Sequence, residues 1–275
     1  MPVLDRPVDV DGFWKDGYTI VKGVYSPEEI EAFREACRQG GGHKGGDLLA
    51  RPLLRSVLTD GAMIGIAKKI LKSDEIWYGG DSSFTINSAG RGWHKDNADR
   101  TDGDAPDWKS DYTQLRFGIY LQDHTEHTGG LNLRRGSHNV VPLSEGENIY
   151  VKSAVGDVGV WSMRITHSGN GQLLKDGSTT DPNDTTPVDP SLLADKDGDR
   201  MAIFAALGLD DEHAARYTEY LKTRKYMADV WRYGQYDDAA RQAAKDAGLI
   251  LRDVPSEVVG DPNAGKNADW APIPY

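Results

Sequence analysis

The sequence predicts a mainly β fold with flanking helices, of the sandwich, jelly-roll or barrel kind. Three observations carry this. Leu115, Phe117, Ile119 and Leu121 alternate with Arg116, Gly118, Tyr120 and Gln122, the period of two that marks a strand with one buried face. Ile149–Ser153 and Val158–Ser162 behave in the same way. Gly129-Gly130, Gly136-Ser137 and Gly156-Asp157 punctuate the run as turns. Short strands closed by such turns build two-layer or closed β architectures.

The other elements follow in chain order. Asp16-Gly17 is a turn leading into the short apolar strand Tyr18–Val21. Ser26-Pro27-Glu28-Glu29 starts a helix: Ser26 caps it, Pro27 takes the first helical position and Glu29 completes a capping box. That helix runs to about Arg38 and carries Ile30, Phe33 and Cys37 on one stripe, so Cys37 reads as a core residue. Gly40–Gly46 is a glycine-rich turn around His43; without the GK[ST] frame it is not a phosphate loop. A second helix is expected over Asp60–Leu71 and β structure over residues 75–166. Residues 168–199, rich in Gly, Asp, Thr, Ser and Pro, read as an inserted loop or flap. The strand Met201–Leu207 precedes a helical extension at 209–275, with amphipathic helices over about Asp211–Tyr233 and Asp237–Ala247 and a Pro-containing tail. With no repeat and no linker visible, the 275 residues read as one domain.

Composition narrows the function. Forty-three acidic against 32 basic residues give a net charge of -11, which argues against nucleic acid or an anionic membrane as the main partner. A single cysteine excludes a disulfide framework, a Cys-rich zinc site or an iron–sulfur cluster held by this chain. No apolar run approaches the roughly 18–20 residues of a membrane span, and the first residues lack a signal-peptide pattern, so a cytoplasmic protein is expected.

Of seven histidines, the informative ones lie in and around the β zone. His94 and Asp96, two apart in Trp93-His94-Lys95-Asp96, share one face of an extended segment. His167, at the end of the strand-like run Val158–Thr166, is the candidate third ligand. Two imidazoles and one carboxylate on one face of a metal leave the opposite face open, as in non-haem Fe(II) oxygenases. His124 and His127 lie in a turn rather than on the helix that the HExxH zinc pattern needs. His138 reads as a structural hydrogen bonder, and His43 and His213 as surface residues. Arg116, Gln114, Asn87 and Thr85 are candidates to face a cofactor or substrate, and Trp93 and Trp161 to shape the pocket.

Four motifs in order extend this reading. The opening FWKDGYTIVKGVYSPEEIEAF, the WHKD segment, the turn Asp123-His124-Thr125-Glu126-His127-Thr128-Gly129-Gly130 and Gly136-Ser137-His138 together resemble the phytanoyl-CoA dioxygenase-like family. Thr128 stands where that family's turn has Asn. The resemblance covers roughly residues 12–37 and 82–207. It implies a double-stranded β-helix (jelly roll, cupin-like) and an Fe(II)- and 2-oxoglutarate-dependent dioxygenase with His94, Asp96 and His167 as iron ligands. It also implies an arginine after the distal histidine that binds the far carboxylate of 2-oxoglutarate. The family spacing is about ten residues, but here the next arginine is Arg200, at the start of Met201–Leu207, with Arg164 as competitor. A buried carboxylate requires such a planar, permanently charged, two-pronged donor in either case.

The resemblance implies oxidation of a small-molecule substrate by O2, with 2-oxoglutarate converted to succinate and CO2. Hydroxylation, desaturation and ring formation all fit an aspartate at position 96. The flap and the C-terminal helices would be substrate elements, and those helices could also join copies of the chain. Two rivals stand beside this: a non-catalytic jelly-roll binding protein, and a zinc hydrolase using the same ligands.

Overall fold

The computed structural model describes residues 6–40, 45–88 and 90–275. His43 lies outside the described residues. Asp9 caps a short helix, α1 (Val10–Asp16), by accepting from the Gly12 N–H, and Gly17 ends it at φ 87°. The turn expected at Asp16-Gly17 is therefore the left-handed end of a helix. Strand β1 (Tyr18–Val21) follows. Helix α2 (Pro27–Gln39) has both bonds of the Ser26–Glu29 capping box and buries Ile30, Phe33 and Cys37. The second helical region is two pieces, α3 (Arg55–Thr59) and α4 (Ala62–Leu71).

The β framework continues with β2 (Ile76–Tyr78), β3 (Ser82–Ile86), β4 (Leu115–Tyr120), β5 (Leu131–Arg135), β6 (Glu147–Val151), β7 (Val158–Ser162), β8 (His167–Ser168) and β9 (Met201–Leu207). A five-stranded sheet has the order β1-β7-β4-β9-β3 and a three-stranded sheet the order β6-β5-β8. All of their pairings are antiparallel. This is the expected double-stranded β-helix.

Alternation explains the layering. Leu115, Phe117 and Ile119 of β4, with Val158 and Val160 of β7 and Ile203 and Ala205 of β9, pack against α2 and α4. Tyr120, Trp161 and Ala202 point the other way, toward Leu131, Leu133 and Val151 of the smaller sheet. β4 is thus buried on both sides, and its inward side chains line the interior where a site can form. Gly118 belongs to this inward set: a Cβ there would lie 2.7 Å from Cη2 of Trp161. The absent side chain is what lets the Trp161 ring lie across the sheet.

The C-terminal extension departs from expectation. The helix expected over Asp211–Tyr233 is α5 (Glu212–Thr223) and α6 (Lys225–Tyr233), broken at an extended Arg224. The tail causes the break: Lys225 N–H donates to Asn267 O, and Asn267 N–H to Thr223 O. Backbone groups that a continuous helix would satisfy internally are satisfied by the returning chain. After α7 (Asp238–Asp246), β10 (Leu249–Leu251) pairs parallel with β2, and α8 (Val254–Val259) follows. Tyr217, Leu221, Met227 and Trp231 of α5 and α6 pack with Val254 and Val258 of α8 and with Met163 and Ala206 of the β domain. Residues 168–199 hold little regular structure, but Asn183 Oδ1 accepts from the Trp93 N–H at 2.9 Å and Asp181 Oδ1 from Trp93 Nε1 at 3.1 Å. This segment is thus tied to the one before His94.

Filling the space at Gly118 must displace the Trp161 ring. Gly118→Ala is expected to lower stability by about 1–3 kcal/mol, read as a lower urea midpoint with an unchanged slope. An unchanged midpoint would show that Trp161 moves freely.

Candidate metal centre

Two backbone hydrogen bonds build the site. His94 N–H donates to His167 O at 3.1 Å, and His167 N–H to His94 O at 2.9 Å. In an antiparallel pair, residues that exchange both bonds sit directly opposite and project to the same side. Asp96 N–H donates to Met163 O at 2.9 Å, out of that register, and holds the segment beside the turn before His167. Asp96, two residues along, returns to the same face as His94. Two segments some 70 residues apart thereby deliver three side chains to one point. Their donor atoms lie within 4.8 Å of one another, the one group of this kind among the described residues.

The rings are already aimed. His94 Nδ1 donates to Gly92 O at 2.8 Å and His167 Nδ1 to Ile165 O at 3.1 Å. With Nδ1 occupied, each imidazole presents an unprotonated Nε2 inward, the tautomer that binds a metal. These Nε2 atoms lie 3.9 Å (His94) and 3.6 Å (His167) from the Asp96 carboxylate. Burial, then the neighbouring His94, hold His167 at about 3, and burial also lowers His94. Burial alone would raise Asp96, but Arg116, His167 and His94 outweigh it and hold the carboxyl well below its usual range. Two neutral imidazoles and one carboxylate are the donor set a divalent transition metal takes.

Arg116 projects from the inward face of β4 toward Asp96. Its Nε donates to Asp96 Oδ2 at 3.1 Å, its Nη1 reaches Asp81 Oδ2 at 2.8 Å and its Nη2 donates to Tyr217 at 3.0 Å. Committed in this way to two carboxylates and a phenol, Arg116 holds Asp96 in place and has no free guanidinium arm.

The site opens into a cavity of about 730 Å³. Tyr120, Leu131, Trp161 and Phe204 form an apolar wall on one side, and Tyr226, Met227 and Val230 of α6 form another. Arg200 reaches this cavity at the Tyr120 end, its guanidinium 5.9 Å from the centre of that ring. Its Nε donates to Gly129 O at 2.6 Å, and among the described residues no carboxylate pairs with it. Gly169 makes the room, since a Cβ there would come within 2.8 Å of Arg200 Nη2.

Arg164 is placed elsewhere. Its Nη1 donates to Asp107 O at 2.8 Å and Ser110 O at 3.2 Å, and the guanidinium lies 5.2 Å from the Trp108 ring centre, outside the cavity lining. Asn87 is also outside it. At φ 49°, Asn87 accepts from the Arg200 N–H through Oδ1 and donates to Asp199 through Nδ2, so it fixes the start of β9. Thr85 and Trp161 do line the cavity. Gln114 instead donates to Leu209 O, and Trp93 lies under the Arg134 guanidinium, 4.7 Å from its ring centre. His138 makes the expected structural bond, Nε2 to Trp14 O at 3.0 Å. Cys37 is buried, and burial pushes its thiol up to about 12. His213, expected on the surface, is buried: it bonds Ser110 Oγ at 2.9 Å and packs on Tyr112, because its position in the first turn of α5 faces the β domain.

Sequence reasoning did not reach Lys95, Asp81, Tyr217 or Tyr226. Lys95 sits between two candidate ligands yet is fully buried on the other side of the segment, donating to Ser137 O at 2.7 Å and Arg164 O at 2.6 Å. Burial, then Arg164, bring its ammonium down to about 7. The alternation of the extended segment was the available signal for Lys95. Asp81 and the two tyrosines come from distant elements and left none.

No family model matches the sequence, and none of the curated proteins compared with it does either. Solved structures do match in fold. AviO1 from Streptomyces viridochromogenes Tue57 aligns over 73% of this chain and 93% of its own, at 15% identity and a TM-score of 0.51. HygX from Streptomyces hygroscopicus, solved with nickel and 2-oxoglutarate bound, aligns over 72% and 85% at 16% identity and 0.53. EctD from S. alaskensis, solved with 2-oxoglutarate and 5-hydroxyectoine, aligns over 72% and 74% at 14% identity and 0.51. At these identities the likeness establishes the fold. Among the described residues, no helix is long and apolar enough to cross a membrane.

The support behind Arg200 depends on a neutral His124. Gln122 Oε1 accepts from the Met201 N–H, so its amide nitrogen faces His124 Nε2 at 2.6 Å and requires an acceptor there. Burial holds His124 at about 4. The unfolded imidazole, near 6.5, therefore takes up its proton first as pH falls, and stability drops between about 6.5 and 4 by up to about 3 kcal/mol. His124→Gln is expected to flatten that part of a stability-versus-pH curve; an unchanged slope would contradict this account.

Proposed function

We propose that this chain is a non-haem Fe(II)- and 2-oxoglutarate-dependent oxygenase acting on a small molecule. The observation that carries the reading is the convergence of His94, Asp96 and His167 at the wall of a cavity whose Tyr120 end carries Arg200, which pairs with no carboxylate among the described residues. The shared fold with structures that hold nickel and 2-oxoglutarate supports it. His94, Asp96 and His167 would hold the metal, which when bound supplies the redox chemistry that couples O2 and a 2-oxo acid to substrate oxidation.

The chain's own residues do the rest. Arg200 is the carboxylate clamp: its Nε is anchored on Gly129 O, leaving the two terminal nitrogens for a two-pronged bond to an anion. Tyr120, Leu131 and Phe204 flank the route from Arg200 to the histidines and exclude water from it. An elongated dianion with one end on Arg200 would reach toward the ligands with the other. Phe84 and Ile86 of β3, with Tyr226, Met227 and Val230 of α6, are left for the substrate. That wall suits a small molecule with an apolar body. The C-terminal helices thus shape the substrate side of the cavity, whereas residues 170–199 do not line it.

The test is anaerobic loading with Fe(II) and 2-oxoglutarate, then oxygen and a substrate panel, with succinate as readout. Asp96→Ala and His167→Ala are each expected to abolish 2-oxoglutarate-dependent succinate release, on the order of 100-fold or more, with the circular-dichroism spectrum retained. Full turnover by both variants would refute the assignment. Arg200→Ala is expected to raise the 2-oxoglutarate half-saturation about 10–100-fold, the loss of a charge-assisted pair, and Arg164→Ala to leave it within about threefold. The reverse ranking would move the clamp to Arg164.

A further inference from the structure

We infer that Asp81 and Tyr217 are positioning residues for the metal-binding carboxylate, acting through Arg116, and that α5 is thereby part of the metal centre. This rests on the reading that His94, Asp96 and His167 hold a divalent metal.

The geometry is a closed buried array. Asp96 Oδ2 accepts from Arg116 Nε at 3.1 Å, and Asp81 Oδ2 takes Arg116 Nη1 at 2.8 Å. The Tyr217 hydroxyl donates to the same Asp81 oxygen at 2.5 Å and accepts from Arg116 Nη2 at 3.0 Å. Every arm of the guanidinium is therefore engaged, and the side chains of Arg116, Asp81 and Asp96 are mostly shielded from solvent. Asp81 itself is held by its surroundings. Ala206 N–H donates to its carbonyl, and Trp231 Nε1 of α6 donates to the neighbouring Gly80 O at 2.8 Å.

Two consequences follow for a bound cation. The first is electrostatic. Asp96 and Arg116 alone sum to zero charge, and a guanidinium directly behind the ligand repels a divalent ion. Asp81 restores one net negative charge to the array, which the low-dielectric interior leaves poorly screened. The second is geometric. The Arg116 Nε–H bond to Oδ2 fixes the plane of the Asp96 carboxylate, whose Oδ1 faces His94 Nε2 at 3.9 Å and whose Oδ2 faces His167 Nε2 at 3.6 Å. Tyr217 fixes the planes of Arg116 and Asp81 relative to each other, and it is supplied by the C-terminal extension, not by the β framework. Groups that orient metal ligands in this way are typically worth 10–100-fold in metal affinity.

The experiment is a Co(II) titration of the metal-stripped full chain, by calorimetry and by the visible Co(II) band, with thermal unfolding of each metal-free variant as the folding control. Asp81→Asn is expected to weaken Co(II) binding about 10–100-fold. Tyr217→Phe, which keeps the ring in the core, is expected to weaken it about threefold to tenfold. In an Arg116→Gln background, Tyr217→Phe is expected to have no further effect, since its influence runs through Arg116. Folded Asp81→Asn and Tyr217→Phe variants with wild-type affinity and an unshifted Co(II) band would overturn the inference. So would additive losses in the Arg116→Gln background, which would assign Tyr217 a general packing role. If the wild-type chain itself binds no Co(II), the metal reading fails, an outcome distinct from wild-type binding with indifferent variants.

Discussion

One antiparallel pairing carries the site. His94 and His167 exchange both of their backbone hydrogen bonds, and neither ring could face the other without that register. A slip of one residue in either segment would turn that segment's imidazole to the opposite face and part the two rings. The register is held from several sides. β5 pairs with β8, Thr166 N–H donates to Ser137 Oγ, and Lys95 bridges Ser137 and Arg164. The flanking turns serve the geometry of this single pair, and the bonds from Nδ1 to Gly92 and Ile165 carry the same control out to the ring nitrogens.

Electrostatics then divides the cavity into regions. At the end where His94, Asp96 and His167 converge, the Asp81 and Asp96 carboxylates outnumber the Arg116 guanidinium within a closed array. At the far end, Arg200 stands in an aromatic wall with its terminal nitrogens free of any carboxylate among the described residues. A chain with an overall charge of -11 therefore holds, along one cavity, a carboxylate-rich cluster and a guanidinium that no carboxylate among the described residues pairs with. Long-range field has little part in this; the separation comes from low polarizability and from which charges are already paired.

Much of the framework was legible because its signals are local. The Ser26–Glu29 box, the alternation from Leu115 and the run from Val158 each depend on neighbours within a few residues, and α2, β4 and β7 follow them closely. His94 and Asp96 were legible for the same reason, as a two-residue spacing. The failures are tertiary. The break at Arg224 comes from a tail more than 40 residues later, β10 exists because β2 offers an edge, and His213 is buried by what its helix packs against. Asp81 and Tyr217 act through space on a residue from a third element, which no spacing along the chain encodes. Arg200 and Arg164 could not be separated by sequence distance, because the length of the loop between His167 and β9 does not fix which arginine reaches the cavity.

Lys95 carries a consequence for how this motif can vary. The middle position of a histidine–any residue–aspartate triplet is nominally free, since its side chain points away from its two neighbours'. Here it is an ammonium sealed inside the protein, bonded to two carbonyls and 5.6 Å from the centre of the Trp108 ring. Transplanting the triplet from another protein of this architecture would import a different middle side chain. The graft would keep its histidine and aspartate on one face and lose its anchor on the other, so interchangeability within this architecture is limited by the side of the ribbon turned away from the cavity.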